Sequence, residues 1–270
     1  RAAVMHALWN AVVKGAADRM VTMGVINLGH GALGVVMVII WMPPAVAAWP
    51  FILGSTFFHF FYYGFLIRAY RLGDLSQVYP IARGIAPVLV ALGAQVFAGE
   101  VLPAVAWGGI LLVSFGISLL FLGRPEARAS GPAVVAALAT GAMIAAYSVV
   151  DGMGVRVSGS ALGYIGWLFV LECLAGFGFL ALRRHVLHLV ALRSWLMAFT
   201  GGIISAAAYG LAIYAKSLTT LGAVSAIRES SVIIAALIGV IWFGERPWRL
   251  RVVSAAVVVA GVIVLALAGG

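Results

Sequence analysis

The chain has 270 residues and a formal net charge of +9; 64% of it is hydrophobic, only 9% is charged, and its mean hydropathy is +1.14. Soluble domains carry about 25% charged residues, so the composition excludes a soluble globular protein and points to an all-α integral membrane protein of many spans. The basic residues are scattered through short loops, which reads as a topology signal and not as a nucleic-acid surface. One cysteine, Cys173, excludes an intramolecular disulfide and a Cys-based metal site. No phosphate loop, HExxH pair or GxSxG turn is present, and neither a metal nor a cofactor is expected.

The first span is read over Ala2 to Ala17, with His6, Trp9 and Asn10. It is short for a crossing of roughly 20 residues, and the chain opens on Arg1, so preceding residues are expected. Lys14, Asp18 and Arg19 form the first loop. The second span, Met20 to Met42, carries Asn27, His30, Gly31 and Gly34 at spacings of three and four, a small and polar face for close helix contact. Pro43 and Pro44 end it. The third span, Trp49 to Tyr70, is rich in aromatic residues, with His59, Tyr62 and Tyr63 near its middle.

The fourth span, Gln77 to Glu100, holds Arg83 between Pro80 and Pro87. Proline removes a helical donor and frees a carbonyl, which lipid does not tolerate but a cavity does. The fifth span, Ala104 to Leu122, has no charge. The polar connection GRPEARASG at 123–131 lies near the middle of the chain. The sixth span runs from Pro132 to Val150 and ends in Tyr147, Ser148 and Asp151. The seventh, Ala161 to Leu182, holds Glu172. The eighth, Trp195 to Tyr214, puts Ser205, Tyr209 and Lys216 on one face. The ninth, Gly222 to Glu245, carries Arg228 and Glu229 side by side, and the tenth, Trp248 to Leu267, is apolar like the fifth. A charge at mid-membrane costs roughly 2.5–3.5 kcal/mol on insertion scales, so it is seldom kept without a partner or a wet cavity.

The fourth and ninth spans are copies. Arg83 stands as far from Gly99-Glu100 as Arg228 does from Gly244-Glu245. Tyr63-Gly64 matches Tyr209-Gly210, Trp9-Asn10 matches Tyr147-Ser148, and Gly116 matches Gly261. Two halves follow, residues 1–123 and 132–270, joined by 124–131. Five spans is an odd number, so the second half enters from the opposite face, giving ten transmembrane helices in two inverted five-helix repeats. Such repeats place a substrate site at their interface near the midplane.

Five plus five spans, with a Gly-Glu turn after the fourth of each half, resembles the drug/metabolite transporter superfamily, EamA type, over the whole chain. HALWN, YPIAR and IRESS look like one subgroup of it. The resemblance implies that spans one, three, four, six, eight and nine line a central cavity, with five and ten packed behind. It implies alternating access, export of amino acids or other small metabolites, use of the proton gradient by several members, and a multi-pass place in the bacterial inner membrane.

The candidate substrate-binding residues are Arg83, Tyr79, Trp9, Asn10, His59, Tyr63, Tyr147, Tyr209 and Arg228. Arg83 stands out, because a guanidinium is a permanently charged fork of donors for a carboxylate or phosphonate, and Tyr79 lies one turn before it. Glu229 is the candidate coupling residue, since a buried carboxylate can gain and lose a proton. Each has a plainer reading. Arg228 and Glu229 can hold the fold, and as helix neighbours they need not pair with each other. The tyrosines can be packing residues, and His59 with Tyr62 and Tyr63 an aromatic cluster only. Glu172 reads as a partner for an arginine or a helix neighbour, His30 and Asn27 as helix glue, and Glu100 and Glu245 as interfacial anchors.

The leading function is a secondary transporter of a small polar metabolite, anionic or zwitterionic, with the bilayer, the solute and protons as partners, as a monomer or homodimer. The alternatives are a non-transporting scaffold and a membrane-embedded enzyme. The enzyme reading is disfavoured because the acids are scattered, and a scaffold would not need charges at matched positions in both halves. A channel lacks a ring of like charge or a carbonyl filter. Orientation is divided: the basic residues crowd the odd-numbered loops, with Arg156 and Lys216 alone marking the even ones, so the positive-inside rule puts both termini outside. The resemblance puts them inside.

Overall fold

The computed structural model describes residues 18–73, 75–122, 130–229, 231 and 248–268. Every regular element among them is helical. The long helices are α1 (Arg19–Ile40), α2 (Trp49–Leu72), α3 (Leu75–Phe97), α4 (Ala104–Leu122), α5 (Gly131–Val157), α6 (Ala161–Leu182), α7 (Leu192–Lys216) and α9 (Trp248–Ala268), and α8 is the described stretch Leu221–Glu229. Thus α1 is the predicted second span, and the order continues so that α9 is the tenth. The predicted first span lies outside the described residues, as does most of the ninth beyond Glu229. Seven described helices are long and apolar enough to cross a membrane, and α4 is a shorter apolar one. Their outer faces carry bare aliphatic and aromatic side chains such as Ile39, Leu53 and Phe97, which suits a chain solvated by lipid.

Helix ends follow local chemistry. Asp18 caps α1 by accepting from the amides of Met20 at 2.9 Å and Val21 at 3.2 Å, and its carboxylate also meets Arg183. Ser160 caps α6, accepting from Gly163, while its hydroxyl donates to the Met42 carbonyl at 2.8 Å. The sixth span is longer than its sequence reading: α5 runs on through Asp151 to Val157. The acid does not end the helix because two tyrosines satisfy its carboxylate.

The chain divides into two compact units. The first holds α1, α6, α7, the start of α2 through Phe57, and α5 from Val150 onward; the second holds the remainder of α2 and α5 with α3, α4, α8 and α9. Each unit therefore draws on both sequence halves. In the first unit, α1 packs on α6 and α7. Backbones nearly touch there: a Cβ on Gly34 would come within 2.8 Å of the Gly166 carbonyl oxygen, and one on Gly176 within 2.8 Å of that of Gly24. Tyr164, Leu168 and Phe169 fill the core beside this seam.

In the second unit α4 packs on α9 through Gly109, Gly116 and Gly261, where a Cβ on Gly261 would reach the Gly109 carbonyl oxygen at 2.8 Å. The fifth and tenth spans thus pack on each other. Against this pair lies α3, with α8 beside it. Ile110, Val113, Ile117, Ala226 and Val258 form the core they share. On the other side Ala69, Val78, Ala133, Ala136 and Ala137 join α2, α3 and α5. The small residues bring α3 close to both neighbours, and that closeness brings its arginine among side chains from three other helices.

Candidate functional site

The site lies wholly in the second unit. Arg83 sits on α3 between Pro80 and Pro87, and the helix continues through both prolines. Pro87 has no N–H to give the Arg83 carbonyl one turn back, so the backbone is weakened at the residue that carries the charge. Gly84 lets α3 approach α4, since a Cβ there would stand 2.8 Å from the Ser118 hydroxyl. Gly141 does the same toward α5, where a Cβ would meet the Ala82 carbonyl oxygen at 2.8 Å.

Arg83 and Glu229 form a buried ion pair. Nη1 of Arg83 donates to both carboxylate oxygens, at 2.8 Å and 2.9 Å, and Glu229 is fully buried. Arg228 folds onto the same carboxylate: Nη2 and Nε donate to Oε1 at 3.1 Å and 3.3 Å. Successive helix positions point about 100° apart, yet the long arginine stem bridges that angle. One carboxylate is therefore held by two guanidiniums. Burying such a charge is costly, and the cost is offset only with several good partners.

Aromatic side chains surround this group. The Arg83 guanidinium lies over the Tyr79 ring at 5.3 Å, within the range of a cation–π contact. His59 of α2 stacks on Tyr147 of α5, centroids 3.9 Å apart and planes 20° apart. Tyr62 meets Tyr147 edge-on at 5.7 Å and Tyr63 at 5.2 Å. Arg228 is in hydrogen-bonding contact with Tyr147, and Tyr62 and Tyr147 lie within electrostatic reach of both arginines. His59, Tyr63 and Tyr147 are buried. Four helices thus bring Tyr79, Arg83, His59, Tyr62, Tyr63, Tyr147, Arg228 and Glu229 to one place.

The residues from Gly131 onward also match a family. The model of the EamA-like transporter family matches residues 131–267, about half of the chain. The chain belongs to the EamA-like transporter family. It is therefore a multi-pass membrane protein of the drug/metabolite transporter superfamily, and its family is one of transporters, not enzymes. A solved crystal structure of a protein matches 99% of this EamA-like chain and 93% of its own, with TM-score 0.74 and 19% identity. At that identity it speaks to the fold alone. No curated protein matches the chain.

The remaining expected site residues fall elsewhere in this EamA-like chain. Trp9 and Asn10 lie outside the described residues. Tyr209 belongs to the first unit, where its hydroxyl donates to Asp151 Oδ2 and the Tyr164 hydroxyl donates to Oδ1 at 3.1 Å. Lys216 is buried there as well, its Nζ 5.9 Å from the centre of the Tyr209 ring. It closes α7, on the face it shares with Tyr209. Glu172 meets a helix neighbour, His30 of α1, at 3.3 Å.

Glu100 makes a contact that the sequence reading did not foresee. Read as an interfacial anchor, it instead accepts from the Leu221 amide with both oxygens, at 3.1 Å and 3.0 Å. Leu221 is the first residue of α8, where orphan amides and the helix dipole favour a carboxylate. Gly99 makes the turn possible at φ +65°, a value only glycine takes at little cost. The Gly-Glu turn thus holds the start of the helix that carries Arg228 and Glu229. The signal was present in the recurrence of Gly-Glu, but its partner is 121 residues away.

Proposed function

We propose that this EamA-like protein is a secondary transporter of a small anionic or zwitterionic metabolite, and an exporter. The carrying observation is that Arg83 grips both oxygens of a carboxylate, that of Glu229. Glu229 stands in for the solute: a cradle that holds one carboxylate can hold another. Arg83 and Arg228 bring two guanidinium forks to one carboxylate, the donor geometry that suits a carboxylate or phosphonate. An incoming carboxylate or phosphonate displaces Glu229 from one arginine, and Glu229 takes a proton as it lets go. Tyr79, Tyr63, Tyr147 and His59 form the wall against the rest of the solute.

The proposed frame is ten spans in two inverted repeats working by alternating access. Two observations support it. The family match begins at Gly131, beside the proposed second half. The packed pairs α1 with α6, α3 with α8 and α4 with α9 each join a span to the one five later. The basic residues crowd the odd-numbered loops, which favours both termini outside. The proposed setting is the bacterial inner membrane, as a monomer or homodimer.

The deciding experiment is uptake into proteoliposomes against a panel of amino acids, other small carboxylates and phosphonates. Wild type is expected to move at least one of them, and Arg83→Ala to fold but move none. Arg83→Lys is expected to recover little, because an ammonium offers a point charge in place of a fork. Transport by Arg83→Ala at the wild-type rate overturns the assignment.

A further inference from the structure

The first unit holds a second buried titratable pair that the proposed mechanism does not use. His30 lies on α1 and Glu172 on α6, with Nδ1 and Oε2 3.3 Å apart. Both residues are buried, His30 to 7% and Glu172 to 1% exposure. The His30 ring leans on Phe169 at 5.3 Å. Its other nitrogen, Nε2, is buried and meets no hydrogen-bond partner among the described residues. A histidine nitrogen in that position can take a proton without breaking the bond already made by Nδ1.

The pair stands in the tightest seam of the unit. Gly24 and Gly176 meet on one side of it along the helices, and Gly34 and Gly166 on the other. Beside it, a Cβ on Gly31 would strike Cys173 Sγ at 2.5 Å. The pair carries net −1 with the imidazole neutral and zero when it holds one more proton. A change of one charge between two helices in backbone contact alters how they pack, since a buried charge is tolerated only with good partners.

We propose that His30 and Glu172 form a proton-binding site, distinct from Glu229, that couples the α1–α6 seam to the proton gradient. Imidazole is the side chain whose charge changes near neutral pH. The proton comes from water, adds to Nε2 and leaves the Nδ1–H to Glu172 bond in place; no other bond forms or breaks. Among the described residues, these titratable groups lie around the pair. On α6 they are Cys173 and Tyr164, the latter within electrostatic range of Glu172. On α7 there is Tyr209, which meets Phe169 at 6.3 Å, with Lys216 beyond it. On α5 there is Asp151, bonded to both tyrosines. The stretch of α2 in this unit, Trp49 to Phe57, brings no titratable group.

The test uses the full chain in lipid, with histidine labelled by ¹⁵N and its protonation followed by NMR from pH 5 to 8. The His30 signal is the one absent from His30→Asn. If that variant does not fold, the signal is assigned in a chain whose other histidines are replaced. The expected result is a conversion from neutral imidazole to imidazolium within this range. In Glu172→Gln the midpoint should change, because the carboxylate bonded to Nδ1 is gone. A signal that stays in one form throughout, or a midpoint that Glu172→Gln leaves in place, overturns the proposal. A second readout follows any solute that wild type moves: Glu172→Gln should lose accumulation driven by a pH gradient and keep solute–solute exchange. Gradient-driven accumulation at the wild-type level overturns the coupling. If no solute is moved, the transport reading fails while the NMR titration still decides the proton site.

Discussion

Two buried carboxylates, Glu229 and Asp151, solve one problem in two ways. Glu229 in the second unit is held by two guanidiniums. Asp151 in the first unit accepts from two tyrosine hydroxyls. A hydroxyl lowers the cost of a buried anion without adding charge, whereas a guanidinium brings a charge that must itself be satisfied. The Asp151 group resembles a fastening, since Tyr164 and Tyr209 tie α5 to α6 and α7. In the Glu229 group one carboxylate is shared by two guanidiniums from two helices, α3 and α8.

The comparison breaks most sharply at Glu229. Glu229→Ala leaves two buried arginines facing each other without their shared acid. Removing one partner of a buried pair costs about 3–5 kcal/mol, and here two cations lose the same partner. The purified protein should melt at a clearly lower temperature and be recovered in lower amount. Arg83→Ala should be milder, because Arg228 still donates to Glu229; it should remain folded and lose transport. A thermal melt of both variants in the same detergent checks the order. If Glu229→Ala is as stable as wild type, the arginines do not depend on it.

Asp151 sharpens the contrast from the other unit. Tyr164→Phe removes one donor from a fully buried carboxylate, which costs about 1–3 kcal/mol. Stability should fall while the apparent affinity for any transported solute stays put. An altered solute affinity at unchanged stability would mean that Asp151 belongs to the transport site and the contrast between the two acids is false.

Several of the residues gathered around Glu229 were singled out in the sequence. Arg83 and Arg228 stand out because a cation inside an apolar span is rare and because it recurs at one spacing. Tyr79 follows from the helical period alone, since it lies one turn before Arg83. The pairing of Arg83 with Glu229 was not legible: the two are 146 residues apart, and no local pattern states which acid meets which base. The same limit hid His30 with Glu172 and Asp151 with Tyr209. Lys216 was placed on one face of its span with Tyr209, and its Nζ lies 5.9 Å from the centre of that ring. Helix ends were read to within a few residues except at α5, where a satisfied acid let the helix continue.

The smallest expected effect concerns Glu100, and it tests whether the site is set from outside its own residues. Its carboxylate takes the Leu221 amide at the start of α8. Losing a helix cap costs about 0.5–2 kcal/mol, so Glu100→Ala should lower the melting temperature only modestly. Its sharper consequence is positional. Arg228 and Glu229 lie two turns further along α8, and a frayed start lets that helix shift along α3. The apparent KM for a transported solute should therefore rise in Glu100→Ala. Glu100→Gln should recover part of it, because the amide oxygen still accepts from Leu221 but the charge that favours a helix N-terminus is gone. A KM that does not change in Glu100→Ala, at a measurable loss of stability, would make the Gly-Glu turn a fastening like Asp151 and not a support of the arginine site.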